Sequence, residues 1–317
     1  MTILIFIFGL RTSSDPVTLS QFPFWLIGIL LIIFGLVYPH FLFIPDDISM
    51  RQKSFMIVEP NNSGFAKDEF NEHVEKARRT ATNDYYIGNY ISLKLKYPLL
   101  VPLFPRPDSC WKVYTHALDR DVVLQKANNL ERLDLQLLAM IEDAKNKLGK
   151  MGYEIDKQFL MTGFSASGTF VNRFTLIHPD RVLTSAAGGL NGLLMLPVEE
   201  MDGKKLNYPV GINDFHEIFG KQFDSVSFKS TPQFLFMGEK DNNDAIPYED
   251  AFDIHESELI FKLLGEEMQP VRWNSCIAIY RQNNINTRIV TYDEIGHEHP
   301  ESVKEDILLF FQTVIKE

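Results

Sequence analysis

Residues 158–168 constrain the fold more than any other part of the chain, because a buried strand there runs straight into a helix. The segment reads QFLMTGFSASG, and its apolar first half predicts a strand. A helical pattern starts at once in residues 169–174, so the turn between them is sharp. Ser165 lies at the apex, with Gly163 and Ser167 two residues before and after it. Small residues at those places avoid a collision with strand and helix, and the serine hydroxyl stands clear.

Apolar runs alternate with helical patterns from residue 54 onward. The predicted strands are residues 54–58, 99–104, 159–162, 182–187, 233–237 and 288–292. Such alternation indicates βαβ units and a mostly parallel sheet with helices on both faces. The sequence therefore predicts the α/β class.

The serine turn and its surroundings resemble the α/β-hydrolase superfamily. A strand, the turn at Ser165, a helix that ends near His178 and a further strand follow in the order of that fold. The resemblance implies a sheet of about six strands, which correspond to strands three to eight. Little sequence is left between the apolar N-terminal stretch, which is read as a membrane anchor, and residue 54, so the first two strands are expected to be reduced or missing. One departure is Ser167, which stands where the family pattern has a second glycine.

A looser likeness points to one subgroup of these hydrolases. Three segments are similar to poly(3-hydroxybutyrate) depolymerase-like esterases, namely residues 104–107, 114–121 and 208–212. This likeness implies a serine hydrolase that cleaves a small or polymeric carboxylic ester. Arg106 and Arg120 are candidates either to meet a substrate carboxylate or to form structural ion pairs. Residues 190–230 lie where hydrolases insert a cap or lid.

A serine hydroxyl is a weak nucleophile, so Ser165 needs a base and an acid that orients the base. On this fold the acid and then the histidine follow the serine along the chain. The resemblance places the acid three residues after a strand-end glycine, which is Asp241, with Asp244 as the alternative. It places the histidine after a glycine, which is His297, with His299 as the alternative. Both loops follow predicted strands, where open α/β sheets carry their sites.

The oxyanion formed by such an attack needs two backbone N–H donors. The amide of Ala166, at the start of the helix after the serine, is expected to be the first. The second is expected in the loop after the strand at 54–58, where residues 60–64 read PNNSG. Asn62 is the candidate there, and Asn61 is the alternative.

An apolar stretch sets the N-terminal region apart. Residues 22–38 carry no charge and as a helix would cover about 25 Å, close to the thickness of a bilayer core. We expect a single-pass membrane anchor in residues 1–47, with its span at about 22–43, followed by a hydrolase domain in residues 48–317. No small-residue cleavage site follows, which favours an anchor over a removed signal peptide. The hydrolase domain is expected outside the cytoplasm.

Composition argues against several classes of protein. The net charge of -11 and the absence of a basic stripe argue against a nucleic-acid partner. Two cysteines, Cys110 and Cys276, cannot form a disulfide framework. No glycine-rich phosphate loop follows a strand, and no histidine and carboxylate cluster has zinc spacing. We therefore predict neither a cofactor nor a metal.

The predicted function is a serine hydrolase that cleaves a carboxylic ester through an acyl-enzyme intermediate. Two alternatives stay open. A prolyl-oligopeptidase-like peptidase would use the same groups on an amide bond. A catalytically silent binding or scaffold protein would keep the hydrolase fold without a working pair of Ser165 and His297. Ester against peptide turnover separates the first two, and chemical labelling of the serine separates the third.

Overall fold

A computed structural model describes residues 3–7, 37–46, 48, 54–249 and 251–316 of the chain. Its strands are β1 Ile3–Ile7, β2 His40–Ile44, β3 Ser54–Val58, β4 Leu99–Pro102, β5 Ile155–Phe164, β6 Val182–Gly188, β7 Glu200–Met201, β8 Lys204–Lys205, β9 Gln233–Gly238 and β10 Thr287–Tyr292. Eight of them form one sheet in the order β1-β2-β4-β3-β5-β6-β9-β10, and β7 and β8 form a separate hairpin. All six predicted strands are present, so the α/β prediction is confirmed.

Helices cover both faces of the sheet. They are α1 Phe70–Thr82, α2 Ile87–Leu95, α3 Arg120–Val123, α4 Leu133–Lys150, α5 Ala166–Ile177, α6 Phe215–Phe219, α7 Ser225–Ser230, α8 Ile254–Leu264, α9 Trp273–Gln282 and α10 Glu301–Lys316. Apolar side chains of α1, α2 and α10 pack on one face, and those of α4, α5, α8 and α9 pack on the other. Successive strand residues point to opposite faces of the sheet. Leu160 therefore packs with α1, α2 and α10, whereas Phe159 and Met161 pack with α4, α5, α8 and α9.

The prediction that the first two strands are reduced or missing is wrong. β1 pairs antiparallel with β2, and β2 pairs antiparallel with β4. The other six strands of the main sheet, β3 to β6, β9 and β10, are parallel to one another. The end of the predicted membrane span, residues 40–43, lies in β2. A short apolar run suits a fully buried strand as well as a helix end, and here the strand is formed because both faces of the sheet are covered.

The pairing of β1 with β2 brings together the two ends of the segment that contains most of the predicted membrane span. Ile7 lies opposite His40, and His40 lies opposite Pro102 at the carboxyl end of β4. The connection between β1 and β2 therefore leaves and returns at the carboxyl edge of the parallel strands. β1 and β2, which precede and follow residues 22–36 of the predicted span, are therefore neighbours in the sheet. The sheet also takes in strands from the region assigned to residues 1–47.

Residues 22–36 of the predicted span lie outside the described residues. Among those that the structure describes, no helix is both long enough and apolar enough to cross a membrane. In the rest of the predicted span, residues 37–39 precede β2 and residues 40–43 lie in it, where Phe41, Leu42 and Phe43 are all buried.

Residues 190–230, predicted as a cap or lid, are tied to the core by buried side chains. Leu194, Tyr208 and Phe228 have no exposed surface. The Tyr208 hydroxyl donates a hydrogen bond to the Leu118 carbonyl, which lies in the segment before α3. This insert is therefore a packed part of the domain.

Glu59 follows β3 at the carboxyl edge of the sheet and is a buried carboxyl group. Only 4% of its surface is exposed, and its Oε2 accepts a hydrogen bond of 2.6 Å from the Gly88 amide in the first turn of α2. Burial raises the pKa of Glu59 to about 8. The folded protein therefore holds a proton here that the unfolded chain releases near pH 4.5.

We expect Glu59→Gln to flatten the pH dependence of stability. A raised carboxyl pKa gives stability that is complete below about pH 4.5 and is lost as pH rises through about 8. Between pH 5 and pH 8 the wild type should lose on the order of 3 kcal/mol more than the variant, measured by urea unfolding. Glu72→Gln, an exposed residue in α1, is the matched control and should keep the wild-type slope. Equal slopes for wild type and Glu59→Gln would contradict the assignment.

Candidate active site

The turn between β5 and α5 is as sharp as the sequence predicts. Ser165 is the single residue between them and has φ 62° and ψ -132°, a conformation that strains any residue with a side chain. A Cβ at Gly163 would lie 2.5 Å from the Ser167 carbonyl oxygen, and one at Gly168 would collide with the Gly188 carbonyl of β6. Glycine at both places therefore lets the helix start directly against the sheet.

Ser167, the departure from the family pattern, has a structural role in this turn. Its hydroxyl donates to the Phe164 carbonyl at 2.8 Å and accepts from the Phe164 amide at 3.0 Å. The side chain thus folds back onto the backbone of the turn. Glycine would also fit at this position, but only serine adds two side-chain hydrogen bonds to the backbone of the turn.

Asp241 and His297 are brought together from the loops after β9 and β10. His297 Nδ1 lies 2.9 Å and 3.1 Å from the two carboxylate oxygens of Asp241. The Asp241 side chain is almost fully buried, and its Oδ1 also accepts a hydrogen bond from the backbone N–H of Asn243. A carboxylate at Nδ1 fixes the tautomer with Nδ1–H, so Nε2 carries the lone pair of a potential base.

The imidazole of His297 lies against the serine turn. Its ring centroid is 4.7 Å from that of Phe164, the residue before Ser165. A Cβ at Gly189, just after β6, would lie 3.0 Å from His297 Cε1. The three residues predicted to act together therefore lie at the same edge of the sheet.

The two alternative residues have other partners. The Asp244 carboxylate forms an ion pair with Arg272, whose side chain is completely buried. His299 is 7% exposed and packs edge-on against Phe164 and at a tilt against Tyr85, with ring centroids 4.8 Å and 4.9 Å away. Burial lowers the pKa of His299 to about 4, which keeps it neutral at physiological pH.

Two asparagines that the sequence analysis did not single out lie between the serine and the histidine. Ser165 Oγ donates to Asn191 Oδ1 at 3.5 Å, and Asn243 Nδ2 donates to the same oxygen at 3.3 Å. Asn243 Nδ2 is also 3.3 Å from His297 Nε2. Both asparagines lie in loops rich in glycine, asparagine and aspartate. Asparagine is a common turn-forming residue in such loops, so the sequence gives no sign that these two belong to the site.

A buried arginine joins the two loops that carry these asparagines. Arg272 donates through Nε to the Gly192 carbonyl at 2.7 Å and through Nη2 to Asp244. Its Nη1 donates to two carbonyls at the end of α8, those of Gly265 and Glu266. The guanidinium thereby fixes the residues next to Asn191 and Asn243, since Gly192 and Asp244 are their chain neighbours.

The loop after β3 is held by buried polar groups on either side of Asn62. Asn61 exchanges two hydrogen bonds of 2.9 Å with the backbone of Phe104, so its side chain has a structural role. Ser63 hydrogen-bonds His73 through its hydroxyl at 2.6 Å and His116 through its amide at 3.5 Å. Burial lowers the pKa of His116 to about 3, so this ring stays neutral. The backbone at Asn62 is therefore fixed from both sides.

The arginines suggested as carboxylate binders are engaged within the protein. Arg120 forms an ion pair of 2.7 Å with Asp214. Arg106 stacks on Tyr114, 3.4 Å from the ring centroid, and donates to the Trp111 carbonyl. Both contacts match the structural alternative.

Solved structures share this architecture. Poly(aspartic acid) hydrolase-1 from Sphingomonas sp. KT-1 superposes with a TM-score of 0.57 at 15% identity, over 88% of this chain and 94% of that chain. The poly(3-hydroxybutyrate) depolymerase LpqC from Bordetella parapertussis gives 0.50 at 14% identity, over 87% and 85%. The chain has the α/β-hydrolase fold. The resemblance inferred from the sequence is thus confirmed at the level of the fold. No protein-family model and no curated protein matches the sequence.

The main sheet has the elbow with Ser165 after β5 and the loops with Asp241 and His297 after β9 and β10, its seventh and eighth strands in chain order.

We expect Asp244→Ala to destabilise this α/β-hydrolase domain by about 3 kcal/mol, because it leaves the buried Arg272 charge without its partner. Lys240→Ala is the control, since it breaks an exposed ion pair with Glu294 and should cost at most about 1 kcal/mol. Chemical denaturation of the three proteins measures both values. Equal losses for the two variants would show that the buried ion pair has no special weight.

Proposed function

We propose that the protein is a serine hydrolase that cleaves carboxylic esters through an acyl-enzyme. The observation that carries this proposal is the strained elbow at Ser165, with the hydrogen-bonded pair of Asp241 and His297 packed against it. Strain of this kind persists where the surrounding structure imposes it, and it exposes the hydroxyl. The α/β-hydrolase fold supports the same reading.

The proposed reaction starts when Ser165 Oγ attacks the ester carbonyl. His297 Nε2 takes the hydroxyl proton, and Asp241 stabilises the imidazolium and holds its orientation. The backbone amides of Ala166 and Asn62 are the proposed donors to the oxyanion. The protonated His297 then gives its proton to the leaving alcohol. Water attacks the acyl-enzyme by the same route, and this releases the acid and restores the serine.

The resting structure directs the Ser165 hydroxyl to Asn191. In the proposed attack, the Ser165 hydroxyl exchanges its hydrogen bond with Asn191 for one with His297 Nε2. Rotation about the Cα–Cβ bond makes this exchange available to the short serine side chain.

We expect a fluorophosphonate probe to label Ser165 in the full-length protein, with the adduct located by mass spectrometry. Ser165→Ala should abolish labelling and lower ester turnover by at least about a thousandfold, since the nucleophile is lost. Ser230→Ala, which removes an exposed hydroxyl at the end of α7, is the control and should label like the wild type. Absence of labelling in the folded wild type would instead favour a catalytically silent binding or scaffold protein.

A panel of p-nitrophenyl esters and peptide anilides tests the substrate class. Esters are expected to be turned over with higher kcat/KM than anilides of the same acyl group. Turnover of the anilides alone would replace the esterase proposal with a peptidase of the prolyl-oligopeptidase-like type.

We also propose that residues 22–38 attach the protein to a lipid bilayer. The stretch is free of charge and long enough to reach deep into the bilayer core. It belongs to the connection between β1 and β2, both ends of which lie at the carboxyl edge of the sheet. The loops with Ser165 and His297 lie at that same edge, so attachment would bring this edge toward the membrane.

Flotation with phosphatidylcholine vesicles tests the attachment. The wild type should float with the vesicles, and the double variant Leu30→Asp, Ile33→Asp should stay in the dense fraction, because each buried carboxylate costs about 3 kcal/mol in the bilayer core. Leu309→Asp places the same charge on an exposed leucine of α10 and should float. Flotation of the double variant to the wild-type extent would contradict the proposal.

A further inference from the structure

The hydrogen bonds around Asn191 and Asn243 form a continuous chain from Ser165 to His297. The two lone pairs of Asn191 Oδ1 accept the Ser165 hydroxyl and one amide hydrogen of Asn243. The second amide hydrogen of Asn243 faces the lone pair of His297 Nε2. This pattern fits only one orientation of each amide, because His297 Nδ1 is already committed as a donor to Asp241.

Asn243 thus occupies the place where the proposed base meets the leaving group. In the acylation step, His297 Nε2 donates a proton to the departing oxygen, so atoms next to Nε2 face the leaving side of the substrate. Asn243 is exposed, whereas Asn191 is 4% exposed. The amide of Asn243 can therefore exchange its contact with Nε2 for one with the substrate, while the buried Asn191 holds its other hydrogen.

The spacing of the two nitrogens selects a chemical class. Asn243 Nδ2 and His297 Nε2 are 3.3 Å apart. A leaving oxygen bound to Nε2 and an acceptor bound to Nδ2 reach a separation of about 3 Å when both lie on the same side of the two nitrogens, each at ordinary hydrogen-bond distance. Two oxygens have this separation when they belong to an O–C–C=O unit, in which the alcohol carbon carries a carbonyl group.

We propose that Asn243, positioned by Asn191, forms a polar subsite for the carbonyl oxygen of a 2-hydroxy acid or 2-hydroxy amide leaving group. The inference rests on the proposed serine esterase function and specifies the alcohol half of its substrate. The Asn243 amide donates to that carbonyl, while His297 protonates the ester oxygen two carbons away. Asn191 acts through Asn243 and is a positioning residue.

The scaffold around the subsite is rigid. Arg272 is completely buried and joins the Gly192 carbonyl to the Asp244 carboxylate. Gly192 has φ 99°, and a Cβ there would collide with Asp244 Oδ1, so the two loops meet at a position that requires glycine. The Ala245 amide donates to the Asn191 carbonyl at 3.3 Å, which adds a backbone link between the loops. A hydrogen-bonding group held in this way loses little entropy when a ligand binds.

Two acetate esters with alcohol parts of the same shape test the subsite. 2-Acetoxyacetamide presents a carbonyl to Asn243, and isobutyl acetate presents a methyl group at that place. We compare the ratio of their kcat/KM values in full-length wild type and Asn243→Ala. Differences in intrinsic reactivity between the esters cancel in this comparison. Asn243→Ala should lower the ratio about fivefold, the effect of one neutral hydrogen bond.

Two further variants complete the experiment. Asn191→Gly removes the positioning side chain at a residue with φ 35°, a conformation that glycine adopts freely, and should lower the ratio in the same direction. Asn242→Ala changes an exposed asparagine in the same loop and should leave both rates and their ratio at the wild-type values. Fluorophosphonate labelling of Ser165 is measured in every variant.

The outcomes separate the subsite from the function on which it rests. Labelled enzyme with the same ratio in wild type and Asn243→Ala would overturn the subsite alone. Labelling of Ser165 without turnover of 2-acetoxyacetamide would also overturn it. A folded wild type that is neither labelled nor active on either ester would overturn the esterase proposal, and the subsite with it. A lower ratio in both Asn243→Ala and Asn191→Gly, with Asn242→Ala unchanged, supports the proposal.

Discussion

The close approach of α5 to the central sheet is the constraint on which the rest of the site depends. Gly163 and Gly168 leave no room for a side chain between the helix, the turn and β6, and Ser165 is forced into a left-handed backbone conformation between them. That conformation lifts one hydroxyl above the carboxyl edge of the sheet. The loops with Asp241 and His297 lie at the same edge, where their side chains can act on that hydroxyl.

Loops supply the remaining groups, and buried polar contacts make those loops rigid. Arg272 joins three segments through four hydrogen-bond acceptors, and Asn61 fixes the loop after β3 to the backbone of Phe104. The side chains of Arg272 and Asn61 are completely buried, so leaving either of them without its hydrogen-bond partners would cost several kcal/mol. The same contacts that satisfy buried charge and amide groups therefore hold the backbone of Asn62 and the side chains of Asn191 and Asn243 in place.

The sequence predicts strands correctly where an apolar run is bounded by turn-forming residues such as glycine and proline. Residues 159–162, 233–237 and 288–292 are predicted as strands from their apolar runs, and they form parts of β5, β9 and β10. The misread element was β2. Its composition, HFLFI, is equally compatible with the end of an apolar helix, and its assignment depends on pairing with β4, which lies far along the chain.

The sequence by itself determined the α/β class, the sharp turn at Ser165 and the loops in which Asp241 and His297 lie. These features are predictable because hydrophobic periodicity, small residues at a turn and the order of motifs along the chain are all visible in the sequence. Only the tertiary structure decided that Asp241 rather than Asp244 contacts His297, that β1 and β2 complete the sheet, and that Asn191 and Asn243 lie beside the serine and histidine. Those outcomes depend on contacts between distant segments, and a buried arginine such as Arg272 selects its partner by geometry that no local pattern records.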